Sequence, residues 1–296
     1  MAYWQEYVQP KTVEEALRAL AETRGEALVV AGGTDLLLDL QQGRHLPIRR
    51  LVDVTSIAEM LDIRFEGDTA FLGAAVPHRR IVEDKVLDRR AACLTQACLL
   101  IGGPQVRNVA TLGGNVAHAL PAGDGTIALL ALEAEAEIAS PGGRRWVPLE
   151  ELFGGPGVTT FDRGAEVLVR FRFRLAREGE ASAFDRVMRP QGVAIAILNM
   201  ACWLRVDRAG RVEAIRLALG PAGPTPLRAR RTEKILLGSV PEPDLLASAA
   251  RCLIDEATLR SSAHRATREY RQHLADGLLQ KTVQLAYRRA VQTGME

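Results

Sequence analysis

Apolar and polar positions change period several times along the chain, and each change predicts an element. In TVEEALRALAETRG, starting at Thr12, Val13, Ala16, Leu17, Leu20 and Ala21 fall at the spacing of an amphipathic helix. Thr12 and Glu15 form a capping-box pattern at its start, and Gly25 marks its end. ALVVA, residues 27–31, is an unbroken apolar run that predicts a buried strand. Gly32-Gly33 then turns the chain, and Thr34 or Asp35 can cap a short helix reaching Leu40. A further strand at RRLVDVT closes a β-α-β unit over residues 1–55.

Next, IRFEGDTAFLGAAV alternates around Gly67-Asp68 as a hairpin does. Helical period runs from Pro77 to about Ile101 and then fades. The stretch GGPQVRNVATLGGNVAHALPAGDG, 102–125, is glycine-rich and without period, yet too apolar for a solvated linker, so it predicts a long ordered loop around a ligand. A short helix from Thr126 to Leu132 follows, then strands at AEAEIAS, RRWVPL and AEVLVRFRF. Composition changes at AREGEA, 176–181. The remainder predicts strands at 182–189, 193–206 and 211–219, a Pro/Gly hinge GPAGPTP, and helices to the C-terminus.

Bulk composition narrows the function classes. With 296 residues, 47% of them apolar and 25% charged, the chain can build more than one core. A net charge of +2 and an aromatic content of 5% argue against a nucleic-acid partner, and Arg228, Arg230 and Arg231 read as a solvated helix face. Glu6, Lys11, Glu14 and Glu15 interrupt what an export signal would keep apolar, which predicts a cytoplasmic protein. The longest apolar stretch, 192–204, contains Asn199 and is shorter than the roughly 20 residues of a membrane span, so it predicts a buried strand. Cys93, Cys98, Cys202 and Cys252 form no CxxC pair and read as small buried side chains; His45, His78, His118, His264 and His273 show no ligand spacing. No metal held by this chain is expected.

The chemistry lies in two double-glycine turns. A glycine pair between strand and helix lets backbone N–H groups approach an anion closely, and AGGTD at 31–35 has that form. It matches neither the Rossmann nor the P-loop pattern. TLGGN, 111–115, repeats the chemistry inside the aperiodic loop, and Asn115 adds donors and acceptors. Two such turns facing each other would clamp a pyrophosphate without any lysine. Since no nucleophile-base set accompanies them, a dinucleotide that performs its own chemistry is the natural guest.

The motifs VVAGGTDLL, GPQVRNVATLGGNVAHALPAGD, GGRRWVPLEELF, GAEVLVRF and REYRQHL together resemble the FAD-binding medium subunit of the molybdenum hydroxylases, the family of the xanthine and carbon monoxide dehydrogenases. The resemblance covers almost the whole chain. It implies an α+β fold: a two-subdomain FAD-binding unit of the p-cresol methylhydroxylase and vanillyl-alcohol oxidase type at 1–55 and 56–177, followed by a C-terminal α/β domain at 178–296 with an antiparallel sheet and helices. It further implies an oxidoreductase subunit passing electrons from two 2Fe-2S clusters in a small partner, by way of FAD, to NAD, oxygen or a quinone. A large partner would carry molybdopterin, and the assembly would be a dimer of heterotrimers.

By the same resemblance, Val29, Val30, Ala31, Gly32, Gly33, Thr34, Asp35 and Leu36 would line one side of the cofactor's pyrophosphate, with Thr111, Gly113, Gly114 and Asn115 on the other and Ala117 and Gly123 nearby. Ile101 and Leu168 would pack at the isoalloxazine, and Asp124 would accept a cofactor hydrogen bond. Ile101 and Leu168 equally suit a core, and Asp124 a helix cap. His118 reads as a structural histidine, and Arg107 and Asn108 as braces of the loop. The chain departs from its relatives at Asp185, where many have a lysine near the flavin; Arg186 or Arg189 would then supply the cation, or Asp185 would turn away. Asn115 runs to Asp124 without the cysteine-rich insertion of 4-hydroxybenzoyl-CoA reductase, so an extra four-iron cluster is not expected. The alternatives are a self-contained flavin oxidase or reductase, which would need an acid or base at the ring, and a nucleotide-sensing module without redox partners.

Overall fold

The computed structural model describes residues 3–23, 25–44, 48–190, 194–262 and 265–294. His45 and His264, and the start of the strand expected from 193, lie outside the described residues. The first layer is a parallel sheet in the order β1-β3-β2, built from β1 (Trp4–Val8), β2 (Ala27–Val30) and β3 (Ile48–Asp53). Helix α1 (Val13–Ala21) joins the first two strands and α2 (Leu36–Gln41) the second and third. Thr12 caps α1 through Glu15 N at 3.1 Å, while the Glu15 carboxylate accepts from Lys11 N at 2.7 Å, one residue earlier than a capping box would place it. WQEYV had given no strand signal, because Gln5 and Glu6 break its apolar run; it is β1, with its side chains alternating between half-buried and exposed.

The second layer is an antiparallel five-stranded sheet in the order β4-β5-β10-β6-β7. Its hairpin, β4 (Ile63–Glu66) and β5 (Thr69–Gly73), turns at Gly67, where φ is +57°. The single helix expected over 77–101 is three: α3 (His78–Glu83), α4 (Lys85–Arg90) and α5 (Ala92–Leu100). Asp84 stops one helix and starts the next, its carboxylate accepting from Val86 N and Leu87 N at 2.9 Å. The expected long loop contains α6 (Pro104–Val109) and α7 (Leu112–Ala117) and runs into α8 (Asp124–Ala131). Helices of six residues complete fewer than two turns, too few to print a 3.6-residue period on the sequence. Then come β6 (Glu135–Ser140), β7 (Gly143–Pro148), the small pair β8 (Phe153–Gly155) and β9 (Val158–Thr159), and β10 (Val167–Arg174).

The third layer is an antiparallel sheet in sequential order, β11 (Glu180–Val187), β12 (Leu198–Val206), β13 (Val212–Gly220) and β14 (Leu227–Arg228). Helices α9 (Arg230–Leu236), α10 (Pro243–Glu256) and α11 (Arg268–Thr293) follow, and α11 packs on β11 and β12. One face of this sheet, with Ala183, Met200, Cys202 and Leu217, packs with the helices in a separate core. The other, with Phe184, Ala201, Trp203 and Ala218, joins the core of the first two layers. A strand buried on both faces needs apolar residues or a hydrogen-bonded polar one, which explains the AILNMACWL run, where the buried Asn199 donates to Ala122 O and Asp124. No helix among the described residues is long and apolar enough to cross a membrane. Cys93, Cys98 and Cys202 are buried thiols, and burial pushes Cys93 up to about 12.

Buried charge adds to that shared apolar core at the junction of the second and third layers. Glu180, with 3% of its side chain exposed, accepts from both Arg174 Nη atoms at 2.7 Å and from Arg177 N at 2.9 Å. Burial alone would raise its carboxyl; Arg174 and the Arg177 amide more than offset that and hold it below the ordinary value. Glu180→Gln is expected to destabilise the chain by about 2 kcal/mol in urea unfolding at neutral pH. A carboxyl lowered in the folded state contributes fully above its ordinary value and loses that contribution as pH falls from there through the lowered folded value, so variant and wild type should converge only at a pH well below the ordinary carboxylate range. A gap that persisted there would contradict the assignment.

Candidate functional site

The loop after β2 leaves the parallel sheet at Val30 and reaches α2 through Ala31–Asp35. The N–H groups of Gly32, Gly33, Thr34 and Asp35 have no acceptor among the described residues. Four neighbouring amides without partners cost free energy unless water or a ligand satisfies them, and on one turn they make an anion cradle. Gly33 takes φ +66°, where a side chain is strained. A Cβ on Gly32 would sit 2.2 Å from Val109 O and 2.7 Å from Ala110 Cα, so only glycine lets this turn lie against the backbone that leads into the second motif.

That second motif differs from the expected matching cradle. Its amides are already spent: Leu112 N on Val76 O, Gly113 N on Ala74 O at 2.8 Å, Gly114 N on Thr111 Oγ1 at 3.0 Å and Asn115 N on Thr111 O. Thr111 is the N-cap of α7, and capping consumes the donors that a free turn would offer. Gly113 is required for fit, since its Cβ would meet Ala74 at 2.5 Å. What this turn still offers is side-chain chemistry. The Thr111 hydroxyl keeps its proton, and Asn115, whose Oδ1 accepts from Thr126 N at 3.1 Å, keeps its NH2 donors.

Both turns open on one cavity of about 960 Å³, at the upper end of the roughly 300–1,000 Å³ typical of small-molecule sites. It collects all the residues expected from the sequence. Val29 to Leu36 form one wall; Thr111, Gly113, Gly114, Asn115 and Ala117 form another; Ile101, Gly123, Asp124 and Leu168 complete the lining. His118 is at the C-cap of α7 and also lines it. Arg107 braces the segment as expected, donating from Nη1 to Gly102 O at 2.7 Å, and Asn108 accepts from Arg79 at 3.3 Å. The donor set, with apolar walls at Ile101 and Leu168, fits a dinucleotide carrying a flat ring system. No cluster of metal-ligating side chains is gathered among the described residues.

At one end of the cavity, charge is buried. Asp124 does not cap α8, because Gly123 holds that position; its carboxylate accepts from Arg186 Nη1 at 2.5 Å and from Asn199 Nδ2 at 2.6 Å. Burial raises the Asp124 carboxyl, and Arg186 and Asn199 oppose the rise. Arg186 also donates to Leu100 O at 2.5 Å, joining β11 to the end of α5. Alternation along β11 separates the two neighbours: Arg186 lines the cavity, whereas Asp185 turns away and pairs with Lys281 on α11 at 2.7 Å. Arg189 is not among the residues lining the cavity.

Sequence reasoning missed two features. His78, at the start of α3, lines the cavity at 1% exposure, and its Nδ1 has no partner. Burial, with a smaller contribution from Arg107, lowers it to about 4, so it is neutral at pH 7. Pro77 before it and the double arginine after it gave no sign of burial. The other is a group of arginines, Arg260, Arg265 and Arg271, that the third layer contributes to the cavity lining.

Residues 3–173 match the family described as the FAD binding domain in molybdopterin dehydrogenase, and residues 182–286 match the CO dehydrogenase flavoprotein C-terminal domain. A xanthine dehydrogenase FAD-binding subunit of Escherichia coli O157:H7 is 31% identical over 279 residues, 94% of each chain. Carbon monoxide dehydrogenase from Hydrogenophaga pseudoflava contains a chain that superposes with a TM-score of 0.91 at 30% identity, covering 96% of this chain and 98% of that one. For quinoline 2-oxidoreductase from Pseudomonas putida 86 the values are 0.88 and 28%, over 97% and 98%.

The buried neutral His78 has a consequence for stability. In the unfolded chain it takes a proton near its ordinary 6.5, and in the folded chain only near 4, so folding loses about 3 kcal/mol as pH falls between those values. His78→Phe is expected to flatten the urea-unfolding stability profile across that window. Equal slopes in variant and wild type would contradict a buried neutral imidazole.

Proposed function

The chain belongs to the FAD-binding subunits of the molybdopterin dehydrogenases, and from that premise we propose that it is the electron-relay subunit of a heteromeric molybdenum hydroxylase. In this reading a large partner carries molybdopterin, a small partner carries two 2Fe-2S clusters, and the acceptor is NAD, oxygen or a quinone. The assembly is a dimer of heterotrimers in the cytoplasm. Bound FAD supplies the ability to collect electrons singly and release them in pairs.

The observation that carries the reading is the run of four unspent amides, Gly32 to Asp35, on residues that line the same cavity as Thr111 and Asn115. We assign the amides to the cofactor's diphosphate and the two side chains to its opposite side. Ile101 and Leu168 provide apolar walls for the ring system and exclude water from it. Val29, Val30, Ala31 and Leu36, with Gly113, Gly114, Ala117 and Gly123, shape the channel between them. Asp124 has already committed its carboxylate oxygens to Arg186 and Asn199, so its part is to fix Arg186 at the cavity wall, with any cofactor contact using a remaining lone pair. Arg186 thereby holds a positive charge at the cavity wall, and the Asp185–Lys281 pair keeps the neighbouring carboxylate outside. The domain roles follow the layers: 1–55 and 56–177 enclose the cofactor, and 178–296 closes one side and supplies Arg186.

Affinity purification of the tagged chain from its native host tests the proposal. The expected result is a yellow preparation with about one FAD per chain and two co-purifying subunits, one with molybdenum and one with iron–sulfur absorbance. An active flavoprotein without partners would favour a self-contained oxidase, and a colourless lone chain would favour a nucleotide sensor.

A further inference from the structure

Three arginines that line the cavity have no carboxylate partner among the described residues. Arg260 lies in the loop between α10 and α11, Arg265 farther along it, and Arg271 in the first turn of α11. None of the three is paired with a carboxylate among the described residues. Arg271 is 3% exposed; its Nη1 donates to Ile197 O at 2.5 Å, and its buried Nε has no partner. Removing a guanidinium from water without an anion is expensive, and two like charges nearby add to the cost. Both effects act here: burial, then Arg265 and Arg260, lower the proton affinity of Arg271.

The cavity's carboxylates do not relieve it. Asp124 is spent on Arg186, Asp39 on Arg44 and Glu166 on Arg145, which leaves Asp35 on the first glycine turn. The hydroxyl residues Thr258 and Ser262 line the same cavity, and Thr258 N donates to Ala222 O at 2.8 Å, tying this loop to the end of the third sheet. Convergent guanidinium groups beside hydroxyls are the chemistry that recognises phosphate.

We propose that Arg260, Arg265 and Arg271 form a phosphate-binding subsite on the third layer, distinct from the glycine cradle. The site needs only a phosphate-bearing ligand. Two sources have that chemistry, a phosphorylated electron acceptor and the part of the flavin dinucleotide's diphosphate that extends beyond the glycine amides, and the choice between them rests on the function proposed above. In the second case the subsite would favour an anionic dinucleotide acceptor over a neutral quinone or oxygen.

The test compares the purified wild-type assembly with Arg260→Gln/Arg265→Gln, whose two positions are exposed and so leave the fold intact. ADP-ribose, which carries a diphosphate and no redox group, is titrated calorimetrically, and FAD per chain is measured by absorbance after dilution. Saturable ADP-ribose binding that weakens about tenfold or more in the variant at unchanged FAD content identifies an acceptor subsite. FAD retention that weakens about tenfold, with no ADP-ribose binding to the loaded wild type, identifies the cofactor's diphosphate instead. Variant and wild type that hold FAD equally and respond equally to ADP-ribose would overturn the subsite. A wild type that binds ADP-ribose through these arginines but never contains FAD would keep the subsite and overturn the flavin reading.

Discussion

The structure depends on one close backbone approach. Gly32 rests against the carbonyl of Val109 and the Cα of Ala110, at distances that leave no room for a side-chain carbon, and Ala110 O in turn accepts from His78 N at 3.0 Å. Through that contact the parallel sheet, the start of α3 and the Thr111 cap become a single rigid wall. The residues whose amides are unspent, Gly32 to Asp35, line the cavity at the same place where Gly32 is pressed against that backbone.

Charge does at the other end what backbone contact does at this one. Arg186 reaches from β11 to Asp124 and to the end of α5, and Asn199 of β12 reaches the same carboxylate and Ala122 O. These buried bonds tie the third layer to the flavin-binding layers at the cavity wall. Added to the apolar core that the layers share, these directed bonds cost desolvation and give the buried charge at the cavity wall a definite geometry. The junction at Glu180 follows the same design farther from the cavity.

Much of this was legible in the sequence, for reasons that differ by element. Helix α1 announced itself because one buried face repeats every three or four residues, and β12 because burial on both faces demands a long apolar run, interrupted only at Asn199. The glycine turns were visible because close approach leaves few other residue choices. The short helices α6 and α7 were hidden by their length, and β1 by the polar residues on its open face. Which amides of the second turn are free depends on Thr111 capping its own helix and on the carbonyls of Ala74 and Val76, which sequence spacing does not reveal. The opposite directions of Asp185 and Arg186 follow from strand alternation, but their partners, Lys281 and Asp124, come from distant segments. The arginines of the third layer were harder still, since only the folded chain shows that Arg260, Arg265 and Arg271 line the same cavity.

The central claim is that the first turn grips the cofactor through backbone amides while the second contributes side chains on an already bonded frame. Hydrogen–deuterium exchange on the chain with and without FAD tests it most directly. The account predicts strong slowing at Gly32 to Asp35 on FAD binding and little change at Gly113 to Asn115, whose amides are protected in either state. Unchanged exchange at Gly32 to Asp35, or protection gained only in the second turn, would contradict it.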